Sequence, residues 1–171
     1  MCNFLSVLIL RNGDVLHHPM LDSHADLVAY FDLPDTRDHH QHFAKAELVP
    51  DGDILNPSKW KWAIDEPTRP GWLDDVERCA EEKTRSIAKR MVLTDQTKKL
   101  PKIIIDGCWI IGGSVKLSNI RGGRIYLVGG SAQILEVGDS AQIHGVWSSV
   151  LLDSSAKAHV VKSGSTVDYT I

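Results

Sequence analysis

The stretch that decides the fold runs from Gly122 to Trp147. Gly122-Gly123-Arg124-Ile125-Tyr126-Leu127-Val128-Gly129 stacks over Ser131-Ala132-Gln133-Ile134-Leu135-Glu136-Val137-Gly138, and both stack over Ser140-Ala141-Gln142-Ile143-His144-Gly145-Val146-Trp147. Small residues fall at 122, 131 and 140; one aliphatic column holds Ile125, Ile134 and Ile143, and a second holds Val128, Val137 and Val146. The spacing is nine, and the first column continues through Leu152 and Val161. An earlier unit at Ser114, with Leu117 and Ile120, fits a spacing of eight, while beyond Ser149 a competing register of Ser155, Ala158 and Val161 fits as well.

Two inward aliphatics three apart, preceded by small residues, do not match the strict alternation of a hairpin. They match short strands that turn a corner and stack equivalent side chains in ladders. Nine residues are too few to close a coil around a core, so two units per coil are expected, in a flattened roll of roughly three to four coils at ~4.8 Å each. Ser, Gly and Ala supply the tight corners. The alternative is a small antiparallel sandwich with coincidental periodicity. The expected fold class is an α+β N-terminal domain over residues 1–105, followed by a short C-terminal β-solenoid of about nine-residue repeats over 106–171.

Working back toward the start, the helical and hairpin signals reappear. Phe4 to Leu10 is an apolar β-rich run, Arg11-Asn12-Gly13-Asp14 supplies a hairpin turn, and Val15 to His18 returns. Asp22 or Ser23 caps a short helix carrying Leu27, Val28, Tyr30 and Phe31 that stops near Pro34. Phe43 to Val49 and Trp60 to Ile64 alternate as half-buried strands, and Lys102 to Asp106 is a further short strand. Leu73, Val76, Ala80, Ile87 and Met91 form an apolar stripe at helical spacing, with Asp74, Asp75 and Glu77 early and Lys89 and Arg90 late, as the helix dipole favours.

Composition bounds the function. The 171 residues carry 43% hydrophobic and 24% charged side chains, an ordinary globular balance, and the net charge of -3 excludes a generic polyanion binder. Residues 107–171 hold five basic and four acidic groups, which leaves -4 on residues 1–106, so the repeats are no acidic rod imitating duplex DNA. Cys2, Cys79 and Cys108 are odd in number and widely spaced, which argues against a disulfide scaffold or zinc ribbon. No apolar run approaches the ~20 residues that span a bilayer. The apolar start lacks a basic leader and a cleavage site, so a soluble cytoplasmic protein is expected.

Three constellations could carry chemistry. Cys2 after an excisable Met1 would pair a thiol with an α-amino group, the arrangement of N-terminal nucleophile hydrolases, with His17, His18 or His24 as helpers. The simpler reading makes Cys2 a small buried residue of the first strand. His17, His18, His24, His39, His40 and His42 cluster with Asp22, Asp26, Asp35 and Asp38, but none shows zinc-protease i, i+4 spacing, so a solvated loop is expected and no metal or cofactor is assigned. Lys59-Trp60-Lys61-Trp62 interleaves aromatic and basic residues, yet alternation on a strand sends the tryptophans one way and the lysines the other, toward core packing rather than base stacking. No P-loop, dinucleotide fingerprint or nucleophile elbow is present.

The layout of Met1-Cys2-Asn3-Phe4, Asp22-Ser23-His24-Ala25-Asp26-Leu27-Val28 and tandem Ser-Ala-x-Ile units resembles uncharacterised accessory proteins of bacteriophages and prophages. The start is also similar to that of class II glutamine amidotransferases, but Asn3 stands where those have Gly. Calcium-binding nine-residue rolls need Asp ligands that Gly129-Gly130-Ser131-Ala132-Gln133 lacks. The phage resemblance implies a non-enzymatic binder in the cytoplasm of a bacterial host, acting on a host or defence component or a small signalling molecule. Asp35, His39, His40, His42, Asp51, Asp53 and Lys59, on the loops at 32–42 and 50–59, are the expected contacts. The repeat runs to Ile171 without a polar cap, so self-association, a dimer foremost, is expected through Val161, Val167, Tyr169 and Ile171. A small Cys2 hydrolase and a structural assembly component are the alternatives; neither a membrane nor a nucleic-acid partner is expected.

Overall fold

The structure, a computed structural model, describes the chain apart from residues 1–4, 35, 37, 98–99, 118, 129–130, 135–136, 147–148, 154–158, 164–165 and 171; residue 127 and those from 131 onward are described through the backbone alone. The chain divides into two compact units, Met1–Lys89 and Arg90–Ile171.

The first unit is built on an antiparallel sheet of β1 (Leu5–Leu10), β2 (Val15–Leu16), β3 (Phe43–Val49) and β4 (Lys61–Ile64), in the order β2-β1-β3-β4. The β1–β2 turn closes because Gly13 takes φ +81° and the Leu10 N–H donates to the Asp14 carbonyl at 2.8 Å. Register then decides what each face carries. Leu10 pairs with Phe43, Leu8 with Lys45 and Ser6 with Glu47, and Glu47 in turn pairs with Ala63. Paired residues share a face, so these side chains, with Asp65 two residues beyond Ala63, stand on one side of the sheet.

Helix α1 (His24–Tyr30) covers that side. Its Leu27 and Val28 pack with Leu8 and Phe43 in one buried cluster, each large side chain contributing about 1.5–3 kcal/mol by leaving water. Ser23 caps the helix by accepting the Asp26 N–H, and Asp32 ends it in a left-handed conformation at φ 50°. The opposite face holds Leu5, Val7, Ile9, Ala44, Ala46 and Leu48, all at most 2% exposed. Helix α2 (Leu73–Met91) is tied to this side by the Trp62 indole N–H, which donates to Glu77 at 3.0 Å. Lys83 donates to the Gly13 carbonyl at 2.8 Å, and Arg85 to the Pro57 carbonyl at 2.9 Å.

The second unit contains β5 (Val92–Leu93), β6 (Ile103–Ile104), β7 (Cys108–Gly112), β8 (Lys116–Leu117), β9 (Asn119–Val128), β10 (Ser131–Ile134), β11 (Val137–Val146), β12 (Ser149–Asp153), β13 (His159–Ser163) and β14 (Thr166–Thr170). Every pairing among them is parallel. One sheet runs β13-β11-β9-β7-β5 with β6 also on β9, and another runs β14-β12-β10-β8. Close backbone approach sets the β7–β9 corner: the Arg124 N–H donates to the Gly107 carbonyl at 2.8 Å, and Gly123 beside it takes φ +96°.

This architecture overturns the expected fold class, an α+β domain followed by a C-terminal β-solenoid of nine-residue repeats. The chain is mostly sheet with two helices, combining one antiparallel sheet with a parallel half-barrel sheet that already includes β5 and β6, upstream of residue 106. Equivalent residues of the nine-residue columns alternate between the two parallel sheets. Ile125 pairs with Ile143, whereas Ile134, between them in sequence, lies in the other sheet against Leu152 and Leu117. The expectation missed the strands upstream of residue 106 because two-residue strands such as Val92–Leu93 show no hydrophobic period at all. Among the described residues no helix is long and apolar enough to cross a membrane.

Candidate functional site

Where β4 ends, two carboxylates follow in succession, Asp65 and Glu66. The Asp65 N–H still donates to the Lys45 carbonyl at 2.9 Å, so the chain stays laddered to β3 through this step. Each carboxylate meets a different histidine, and the two pairs are the most concentrated polar chemistry of the first unit.

Glu66 meets His39. The His39 Nε2 lies 3.0 and 3.2 Å from the two carboxylate oxygens, and its Nδ1 lies 3.1 Å from the Thr36 carbonyl. The Glu66 side chain is 1% exposed and also accepts the Lys45 backbone N–H at 2.8 Å. An isolated carboxylate this deep would cost several kcal/mol; the imidazole and the backbone N–H together satisfy it. The His39 ring stacks at 5.1 Å on Phe43, and the Trp72 indole N–H donates to the His40 carbonyl at 2.7 Å, which holds the short 3-10 helix His39–Gln41 in place. Above these residues opens a cavity of about 380 Å³ lined by Asp38, His39, His40, Glu66, Pro67 and Thr68. With His39 and Glu66 engaged with each other, the polar groups at its rim are the Asp38 carboxylate and the His40 imidazole, a lining suited to a ligand that donates hydrogen bonds.

Asp65 meets His24, the first residue of α1. The His24 Nδ1 lies 3.0 Å from Asp65 Oδ2, and Nε2 lies 3.0 Å from the Ala46 carbonyl. Glu47 joins them: ligand atoms of His24, Glu47 and Asp65 all fall within 4.8 Å of one another. Next along the chain, Arg69 is paired with Asp74 at 2.7 Å and with Glu77. The Arg69 hydrogen bond, helped by the Trp62 N–H, holds the Glu77 carboxyl below its usual value against the opposing effect of burial, and the same two carboxylates raise the Arg69 guanidinium. This pair pins the entrance of α2 rather than lining the cavity.

The residues expected from sequence are scattered over this frame. Cys2, Asp35 and Ile171 lie outside the described residues. His39 and His40 line the cavity, while His42 is exposed and its carbonyl accepts the Arg11 N–H at 3.3 Å. Asp51, Asp53 and Lys59 are exposed on the far side of β3, and Asp53 accepts the Leu55 N–H at 3.0 Å. A strand of this length at ~3.3 Å per residue holds the two loops about 20 Å apart, so they form no single surface patch. His17 is half-buried, and His24 belongs to the Asp65 cluster. Val161 lies in β13, and Val167 and Tyr169 lie in β14, the outermost strands of their sheets. Trp60 is 1% exposed and Trp62 donates to Glu77, so the Lys-Trp-Lys-Trp segment offers no stacking platform.

Asp65 and Glu66 escaped the sequence reading, which concentrated on residues 17–42. The signal was an acidic pair directly after a half-buried strand; only the β3–β4 register shows that it faces the histidines. No family model, curated protein or solved structure matches the chain.

Proposed function

We propose that the chain acts by binding, and that the cavity between the 38–40 turn and residues 66–68 is its recognition site. The observation that carries this is the pre-organised wall: His39 is fixed at both ring nitrogens, and the Trp72 N–H holds the neighbouring backbone. Asp38 and His40 stand beside it at the rim. With Glu66 engaged by His39 and the Lys45 N–H, the exposed Asp38 carboxylate at the rim sets the preference, and the group it favours is cationic or rich in N–H donors, such as a guanidinium or an amine. This chemistry serves a free small molecule or a basic side chain of a host or defence component, the partner class that the accessory-protein resemblance implies.

Affinity capture of the tagged chain from bacterial lysate, with protein and small-molecule mass spectrometry on the eluate, tests this reading and separates the two sources. A stoichiometric species that is retained by the wild type and lost with Asp38→Asn and His40→Ala is the expected result. An eluate of the chain alone, or a species that both variants retain, would overturn it.

A further inference from the structure

We propose that His24, Glu47 and Asp65 form a binding site for a divalent first-row metal ion, distinct from the 38–40 cavity and independent of the binding reading above. The reasoning begins with the imidazole. Nε2 faces the Ala46 carbonyl at 3.0 Å, and a carbonyl oxygen only accepts, so Nε2 carries the proton. In a neutral ring the Nδ1 lone pair then points at Asp65 Oδ2, 3.0 Å away. Two acceptors at that distance repel unless a cation stands between them.

A proton on Nδ1 is one such cation; a divalent ion held by Asp65 and Glu47 as well is the other, since the ligand atoms of all three residues lie within 4.8 Å of one another.

The spacing agrees. Two ligand atoms about 2.0–2.1 Å from one ion stand about 2.9–3.4 Å apart at angles between octahedral and tetrahedral, which brackets the Nδ1–Oδ2 separation of 3.0 Å. Glu47, half-buried on β3 and diagonal to Asp65 across the β3–β4 ladder, completes the set through a rotation of its side chain. The Ala46 carbonyl gives the imidazole the outer-shell hydrogen bond that metal-bound histidines characteristically make. One nitrogen and two carboxylate oxygens select zinc, cobalt, nickel, manganese or iron(II) over calcium. The Asp65 side chain is 60% exposed, so the ion has an approach from solvent and keeps positions open for water.

Equilibrium dialysis of the full chain with Zn²⁺, and visible absorption with Co²⁺ as the probe, test the site. One equivalent should bind, and the bound Co²⁺ should show d–d bands of low-coordinate N/O ligation. Asp65→Asn and Glu47→Gln, both on partly or fully exposed residues, should each weaken binding by about tenfold or more, while Asp26→Asn on the outer surface of α1 leaves it unchanged. Absence of saturable binding would overturn the site in favour of a plain imidazolium–carboxylate pair. Binding insensitive to Asp65→Asn and Glu47→Gln, or abolished instead by His39→Ala or His40→Ala, would overturn it equally.

Discussion

Both units bury apolar side chains, but one pairs its strands antiparallel and the other parallel, and the difference locates the chemistry. The first unit interposes a four-stranded antiparallel sheet between two helices, so both faces are filled by large side chains such as Phe43, Leu8, Ile9 and Leu48, none of them measurably exposed. Its side-chain packing leaves the strand ends free to carry polar groups, and the Asp65–Glu66 step uses that freedom. The second unit runs parallel strands whose equivalent residues return every 16 to 18 positions, as in Trp109↔Ile125 and Ile125↔Ile143. There the backbone itself comes close, as at Gly107 and Gly123. The described part of the second unit also buries aliphatic side chains, among them Ile110, Ile111, Ile120 and Ile125, each at most 1% exposed; what sets it apart is that main-chain approach fixes its β7–β9 corner.

The largest effect that would break this contrast is in the core. Phe43→Ala should cost about 3–5 kcal/mol, read as loss of amide protection across β1, β3 and α1 in region-resolved hydrogen exchange. If the β7–β9 amides lose protection first, the contrast fails. Gly123→Ala is the mirror experiment. A Cβ there would sit 2.6 Å from the Gly107 carbonyl at φ +96°, so about 2–3 kcal/mol should be lost from the second unit, with protection of β1 and β3 retained. Glu66→Ala comes next: removing a carboxylate that serves the Lys45 N–H and His39 should lower stability by about 2–3 kcal/mol in denaturant unfolding.

The elements of the first unit were legible because each carried a local signal. Asp22-Ser23 marked the start of α1, which Ser23 caps, Asn12-Gly13 marked the hairpin, and strict alternation marked Phe43–Val49. The stripe from Leu73 to Met91 gave α2 its full span, since an amphipathic pattern nineteen residues long admits one period. What could not be read was pairing. Nothing in the text at 61–66 says that Asp65 lies opposite Lys45. The candidate site depends wholly on that register. His39 and His40 were visible as polar loop residues, but their carboxylate partner lies 27 residues from His39 in sequence, beyond any local pattern.

Two smaller effects sharpen the comparison further. Glu77 titrates below its usual value in the folded chain because of Arg69, so the stability it contributes is present above its unfolded value of about 4.3 and is lost as pH falls through the lower folded value. Wild type should therefore exceed Glu77→Gln by about 1 kcal/mol above roughly pH 5 and match it at the acid end, measured by urea unfolding across pH. A constant gap at all pH values would assign the difference to the neutral Trp62 hydrogen bond. Asp32→Gly should stabilise α1 by about 0.5 kcal/mol, since glycine takes the left-handed φ of 50° without strain; a lower melting temperature would count against that account of the helix end.

The most direct test of the binding reading is an NMR titration of the ¹⁵N-labelled chain with arginine methylamide, a minimal guanidinium donor. Saturable shifts confined to residues 36–43 and 65–68, abolished by Asp38→Asn, are predicted. Shifts that rise linearly without saturation, or that spread over both units, would contradict a built site for a cationic group at the 38–40 turn.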